Sequence, residues 1–361
     1  MAISYTSIIY TSAGVAQSYS DGFLDIVVTR AVNGIDMLRI VYEGSSDAVP
    51  YCTYGSIIEV WREDNSVSIA YYREFAGIIR YIETVIGEIT LVTMQAVGFN
   101  ALLADRIVAW PAGVANRSVF NAVPAETALK LLFDYNLGAN ATVANGRITD
   151  GVLSGTTAYS TTGAGNAISI SVAGQNLLTA MQRIQENAGG DFALVFTAPN
   201  TFDFQWYTGQ LGLNRSADVV FNIGNGTIGQ LRIITDRIVD ATAAIVAGQG
   251  EGALRQYVTR PTTLPTGLDL RERWVDARNQ SVTAQYQQAG DIVLAEAERQ
   301  RGRVEAQILQ SDALRYGRDY FFGDIVSVYD GTTMLTRKIQ SIGLHFASDG
   351  SEAIDVGLIT A

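Results

Sequence analysis

The chain is short of the residues on which most enzyme chemistry depends. Its 361 residues include one cysteine, Cys52, and one histidine, His345. A single cysteine excludes an intrachain disulfide and a thiolate metal cluster. A single histidine leaves no Ser-His-Asp or Cys-His constellation to defend. Charge is scarce too: 17% of residues are charged and 48% are apolar, where a quarter charged is usual. The polar surface is therefore rich in Ser, Thr, Asn and Gln, groups that cost less to bury against a protein neighbour than an ammonium or a carboxylate. No apolar run approaches the ~18 residues of a membrane span. The N-terminal MAISYTSIIYTSAGV lacks a basic segment ahead of its apolar residues, so it does not read as a signal peptide. A soluble, cytoplasmically made protein without a membrane anchor is expected.

What charge there is sums to −11. An acidic chain does not neutralise phosphates, so no specific nucleic-acid binding is expected. Acidity does suit a surface along which DNA slides without sticking.

The first third reads as strands: Asp25 to Thr29, Met37 to Tyr42, Ser56 to Trp61, Phe75 to Ile82 and Glu88 to Val97. They are rich in Ile, Val and Tyr and are separated by turns such as Asn33-Gly34 and Asp64-Asn65. A small antiparallel barrel or sandwich fits that pattern. After Trp110-Pro111 the composition shifts. Pro124 to Tyr135 predicts a helix with Glu126 in its first turn and Ala128, Leu129, Leu132 and Phe133 on one face. Residues 138–171 read as loop or weak strands. A second helix is predicted over Gln175 to Asn187, with Leu177, Leu178, Met181 and Ile184 on one face. A hairpin follows, alternating Phe192, Leu194, Phe196 and then Phe202, Phe204, Trp206 about an Ala198-Pro199-Asn200 turn. Strands return at Leu231 to Val239 and Ala243 to Val246, a long connection with two prolines leads to Arg271 to Asn279, and a helix is predicted over Asp291 to Gly302. The last strands are Val304 to Leu309, Ile325 to Tyr329, Leu335 to Phe346 and Ala353 to Ile359.

The two β-rich regions echo each other. Tyr54-Gly55-Ser56-Ile57-Ile58-Glu59-Val60-Trp61 sets against Phe322-Gly323-Asp324-Ile325-Val326-Ser327-Val328-Tyr329. In Gly-x-Ile-x-x-Val the glycine permits a turn or bulge and the aliphatics face a core. Gly77 and Gly343 follow at similar distance, and each copy ends in a closing strand. This predicts a duplicated barrel, and three chains would then place six similar units about one axis.

No residues are singled out as catalytic, cofactor-binding or metal-binding. His345 reads as a structural histidine on a strand face. Glu296 and Glu298 are two apart on a helix and diverge. Glu59, Glu63, Asp64 and Glu74 share the first β region, but nothing selects a pair among them. Gly224-Asn225-Gly226 and Gly248 to Gly252 lack the Lys-Ser/Thr of a phosphate loop and read as turns. Arg271, Arg273, Arg278, Arg299, Arg301 and Arg303 interleave with acids and read as salt-bridging faces.

Taken in order, Phe75-Ala76-Gly77-Ile78-Ile79, Asp105 to Pro111, the two helices with their aromatic hairpin, Arg273 to Asn279, and Tyr320 to Val328 resemble the tail or baseplate hub proteins of long-tailed phages. Those are built like the trimeric hub of contractile tails. The resemblance implies a mainly β fold with α+β insertions: two tube-like barrels, a peripheral α+β domain and a helical insertion. It implies residues 1–110 as the first barrel, 111–230 as the peripheral domain, 231–270 with 304–361 as the second barrel, and 271–303 as the insertion. It also implies a structural virion protein without enzymatic activity or cofactor, forming a homotrimeric ring that adapts a six-fold tube to a three-fold tip and passes DNA. Its neighbours would be a distal tail or tube protein on one side and a tip, fibre or spike protein on the other, with a tape measure protein as a further candidate. Some such hubs are fused to a cell-wall hydrolase, and none is expected here, because the chain stops at Ala361 after its last strand. A receptor- or glycan-binding tail module is the alternative, with Trp110 and Trp206 as sugar-stacking residues against a core-packing reading of both. A peptidoglycan hydrolase would need a carboxylate pair across a cleft.

Overall fold

The computed structural model describes residues 3–361 apart from 66–68, 115, 199, 239, 279, 310 and 312. Pro199 of the expected hairpin turn, Val239 at the end of an expected strand, and Asn279 lie outside the described residues.

The N-terminal region is β1 (Ile3–Tyr10), β2 (Ala16–Ser20), β3 (Phe23–Ala31), β4 (Met37–Glu43), β5 (Ile57–Asp64), β6 (Ile69–Val85) and β7 (Leu91–Gly98). A short helix, α1 (Asn100–Ala104), leads into β8 (Ser118–Pro124), α2 (Ala125–Asn136), β9 (Ala167–Val172), α3 (Leu177–Gln185) and the hairpin β10 (Gly190–Ala198) and β11 (Thr201–Thr208). Then come β12 (Val220–Phe221), β13 (Ile228–Thr235), β14 (Ala243–Ala247), β15 (Tyr257–Arg260), β16 (Glu272–Asp276) and α4 (Thr283–Arg301). The chain closes with β17 (Gly302–Ile308), β18 (Ile325–Tyr329), β19 (Met334–Ala347) and β20 (Glu352–Thr360).

The fold is mainly β, as expected, and its β scaffold is duplicated. The strand order β3-β4-β7-β6-β5 in the first copy recurs as β13-β17-β20-β19-β18 in the second. The match extends to single hydrogen bonds. Gly55 and Gly323 both have positive φ, 84° and 88°, a region open to glycine at little cost. The amide after each closes the same turn: Ser56 N donates to Thr53 O at 3.1 Å, and Asp324 N to Phe321 O at 3.2 Å. Ile79 N donates to Ser56 O, and Ile339 N to Asp324 O, both at 2.8 Å. The next strand bulges at the same place, between Ile79 and Tyr81 and between Ile339 and Ser341. The proposed match of Gly77 with Gly343 does not hold. Gly55 stands 24 residues before Ile79, whereas Gly323 stands 16 before Ile339, so the register moves. Gly77 is a close-approach glycine, where a Cβ would lie 2.4 Å from Val97 O, while a Cβ on Gly343 would meet nothing nearer than 3.9 Å.

The copies do not close into two barrels. The strand that would seal the first copy, β3, hydrogen-bonds to β19 of the second instead, making one 13-stranded sheet. A single core runs beneath both copies, from Tyr5, Ile26 and Ile40 to Tyr320, Val326 and Leu358. Strands β1 and β2 were missed in the sequence because their core positions carry hydroxyls. Ser7 is buried against Tyr42 OH at 2.8 Å and Ser20 O at 3.0 Å.

Around this scaffold sit two smaller units. In the first, α2 and α3 present Leu129, Leu132, Phe133, Leu177, Met181 and Ile184 to the aromatic face of the β10–β11 hairpin. Phe133 stacks on Phe204 at 5.1 Å. Glu126 is buried and accepts from Lys130, the amides of Thr162 and Ala164 and two hydroxyls. Burial pushes its carboxyl up, but Lys130 and those donors prevail and bring its pKa down to about 2. In the second unit β15-β14-β16 lie under α4. The sequence reading set residues up to 270 with the second barrel, whereas hydrogen bonding gathers β14, β15 and β16 into one separate sheet. Helix α4 begins eight residues before the predicted start, at Thr283 rather than Asp291. Its first turns bury Gln285, Tyr286, Ala289 and Gly290, a polar and small face without apolar periodicity. Gly290 is required there, since a Cβ would lie 2.9 Å from Val246 Cγ2. The two units meet through Gln280, which accepts from Ser171 N at 2.7 Å and donates to Ser171 O at 2.8 Å. This side chain completes the edge of β9 as a strand would.

Candidate functional site

The most constrained feature of the molecule is the joint between the two copies. Strand β19 runs antiparallel to β3 with Ile342 opposite Arg30, Leu344 opposite Val28 and Phe346 opposite Ile26. On the core side Ile342, Leu344, Phe346, Ile26 and Val28 are all buried.

Beneath the sheet the joint is locked by buried charge. Alternation along β5 puts Arg62 and Asp64 on the same face as Ile58 and Val60. Along β20 it puts Glu352 with Ile354 and Val356. The Arg62 guanidinium grips Glu352 with two bonds of 2.8 Å, at side-chain exposures of 0% and 1%. Tyr5 OH donates to the same carboxylate at 2.5 Å. Arg30 reaches Glu74 at 3.3 Å and lies 4.3 Å above the Phe322 ring. Tyr316 OH donates to Glu74 at 2.9 Å. Burial pushes the Glu74 carboxyl up, with Arg30, Tyr316 and Arg62 pulling it back. Paired this way, the charges tolerate a dry site, and removing one would strand its partner.

Each copy also has a free edge. Strand β6 pairs with β5 only as far as Ile78, so the far side of Tyr81–Val85 is open. Among the described residues strand β13 pairs with β17 alone. Both edges carry exposed aliphatics: Ile82 at 39%, Val85 at 53%, Ile86 at 84% and Ile233 at 49%. Open apolar edges of this kind template pairing with another chain unless something covers them.

The face of the sheet opposite the core carries a hollow of about 690 Å³ over Thr29, Arg232, Glu305, Ser341, Gly343 and Asp355. Alternation places Asp25, Glu43, Glu83, Glu305 and Asp355 on this face against Arg39, Arg232 and Arg303. Acids outnumber bases, and several are already paired: Arg39 with Asp25 at 2.5 Å and Arg232 with Glu305 at 2.8 Å. His345 stands here too, with Nε2 2.6 Å from Asp25.

The other residues weighed from the sequence are dispersed. Glu59, Asp64 and Glu74 are buried and each faces an arginine, Arg73, Arg315 and Arg30 in turn. Trp110 and Trp206 are half-buried and pack on glycines, with a Cβ at Gly146 or Gly190 falling within 2.5 Å of an indole ring. Cys52 is buried, and burial pushes its thiol up to about 11. Among the described residues no group of three His, Cys, Asp or Glu could hold a metal ion, and no helix is long and apolar enough to cross a membrane. Sequence reasoning missed Asn33 and Asn100. Their side chains accept from Phe192 N at 2.7 Å and Leu194 N at 2.8 Å, fastening the hairpin edge to the first copy. The Asn33-Gly34 turn was visible, its second task was not.

The fold recurs in tail proteins over nearly its whole length. The 43 kDa tail protein of prophage MuSo2 from Shewanella oneidensis superposes with a TM-score of 0.61 at 12% identity, covering 98% of each chain. The tail protein of Neisseria meningitidis MC58 gives 0.60 at 12% identity, covering 100% of this chain and 97% of the other. The prophage tail protein gp18 of Listeria monocytogenes EGD-e gives 0.56 at 9% identity, covering 99% and 94%. No curated protein matches. The resemblance to phage tail proteins read from the residues therefore holds at the level of fold. Residues 57–358 match the Siphovirus ReqiPepy6 Gp37-like protein family, and the chain belongs to that family.

Proposed function

We propose that the chain is a structural protein of a phage tail, built into the virion as a homotrimeric hub ring. The ring continues the tail tube, adapts its six-fold symmetry to a three-fold tip, and lets DNA pass. The observation that carries this reading is the duplicated strand order with a side-by-side joint between the copies. One chain supplies two equivalent sheets, so three chains supply the six of a tube. The joint is heterologous, and repeated heterologous joints close into a ring when the rotation permits. The face opposite the core, with its hollow and its acids in excess, would form the lumen, where like charge keeps phosphates from adhering.

The two smaller units differ from each other and decorate the ring with three-fold spacing. That suits a distal tail or tube protein on one side and a tip, fibre or spike protein on the other. The fold shared with the prophage tail proteins supports the same reading. Native mass spectrometry over a concentration series tests it. A trimer that grows with concentration is the expected result, and a single chain at every concentration would overturn the ring.

A further inference from the structure

The duplication fixes more than the number of units. We infer that the joint between chains repeats the joint within the chain, with residues 81–87 of β6 and its turn pairing antiparallel with residues 230–236 of β13 from a second copy. This rests on the ring reading above, and it names the partner strand and the register.

The register follows from equivalences already established. The shared bulge sets Tyr81 against Ser341 and Ile82 against Ile342. Stepping across the paired strands sets Leu38 against Val304, and hence Val28 against Ile233 and Ile26 against Leu231. Within the chain Ile342 faces Arg30, Leu344 faces Val28 and Phe346 faces Ile26. Between chains, the same relation places Ile82 opposite Thr235, Thr84 opposite Ile233 and Ile86 opposite Leu231.

Burial supports this assignment. At the internal joint Ile342, Phe346, Ile26 and Val28 are between 0% and 8% exposed. Their counterparts Ile82, Ile86 and Ile233 are 39%, 84% and 49% exposed, and all belong to the face that is core in the other copy. A one-residue slip would turn that apolar set to the opposite face, so the pattern selects this register over its neighbours. Among the described residues both edges lack a strand partner here, and the two strands run in the sense the pairing needs. Glu83 comes diagonally beside Arg232, where opposite charges attract.

Cysteine pairs test the register. Adjacent antiparallel pairs alternate between wide and close spacing, the close ones with Cα atoms ~4.5 Å apart, within reach of a disulfide. Two double variants, Thr84→Cys with Ile233→Cys and Glu83→Cys with Ile234→Cys, therefore include one close pair. Mild oxidation of the full-length chain should yield covalent dimers and trimers from at least one of them. A register-shifted control, Ile82→Cys with Ile233→Cys, should stay unlinked, and buried Cys52 should add no background. Native mass separates the two claims. Trimers that link only through the shifted control, or through none of the pairs, would overturn the register and leave the ring standing. Chains that never associate would overturn both.

Discussion

The two β copies share a turn, a bulge and a strand order, yet carry different loads. In the first copy the residue after the turn glycine is Ser56, which needs only a local bond to Thr53 at 2.7 Å. In the second it is Asp324, buried and accepting from Leu213 N at 2.6 Å, Arg215 Nε at 2.8 Å and Phe321 N at 2.9 Å. That carboxylate anchors the chain as it returns from the peripheral unit. The hairpin end of the first copy is capped by that unit through Asn33, whereas in the second copy the same connection opens into residues 236–301. The joints differ most. One is sealed by buried ion pairs and the other edge is open. A repeated scaffold therefore keeps what sets geometry and varies what sets partners.

The strongest way to test that contrast is to break the buried ion pair beneath the closed joint and, separately, the exposed ion pair beside the open edge. Arg62→Ala should strip the buried Glu352 carboxylate of its two guanidinium bonds, at a cost of about 3–5 kcal/mol. Arg232→Ala, from a pair 66% and 48% exposed, should cost less than about 1 kcal/mol. Chemical denaturation of both variants checks this, and equal losses would break the comparison. Next in size is Asp324→Ser, which gives the second copy the first copy's residue. It removes three bonds to a buried carboxylate and should cost about 2 kcal/mol, read as a drop in the denaturation midpoint. The turn glycines come after these. Gly55→Ala should cost about 1–2 kcal/mol from its left-handed backbone. Gly323→Ala should exceed it, because a Cβ there lies 3.0 Å from Leu211 Cβ while the one at Gly55 meets nothing within 4 Å. The order of the two thermal midpoints decides this.

Much of this scaffold was legible in the residues. Gly-x-Ile-x-x-Val marked both copies through its positive-φ glycine and its valine, Val60 or Val328, which faces the shared core, whereas Ile57 and Ile325 fall on the other face and the second core-facing aliphatic is Ile58 or Val326. The helices and the aromatic hairpin were legible for the same reason, since periodicity is local. The joint was not, because it pairs Ala31 with Ser341 and no nearby pattern specifies so distant a partner. Barrel closure was overcalled on the same account, as β3 has two neighbours and the sequence names neither. One signal was available and unused. Arg62 and Glu352 fall on core positions by simple alternation, and a charge in a core position requires a buried opposite charge. The open edges became legible only once the internal joint supplied a template for them.

The central claim is that one chain contributes two equivalent sheets to a ring of three. Electron cryo-microscopy of the assembled chain, reconstructed without imposed symmetry, tests it most directly. The account predicts three chains presenting six similar sheets around an open centre, with the joint between chains superposing on the joint within them. A ring of any other chain number, or chains that meet through the smaller units with both β edges left bare, would contradict it.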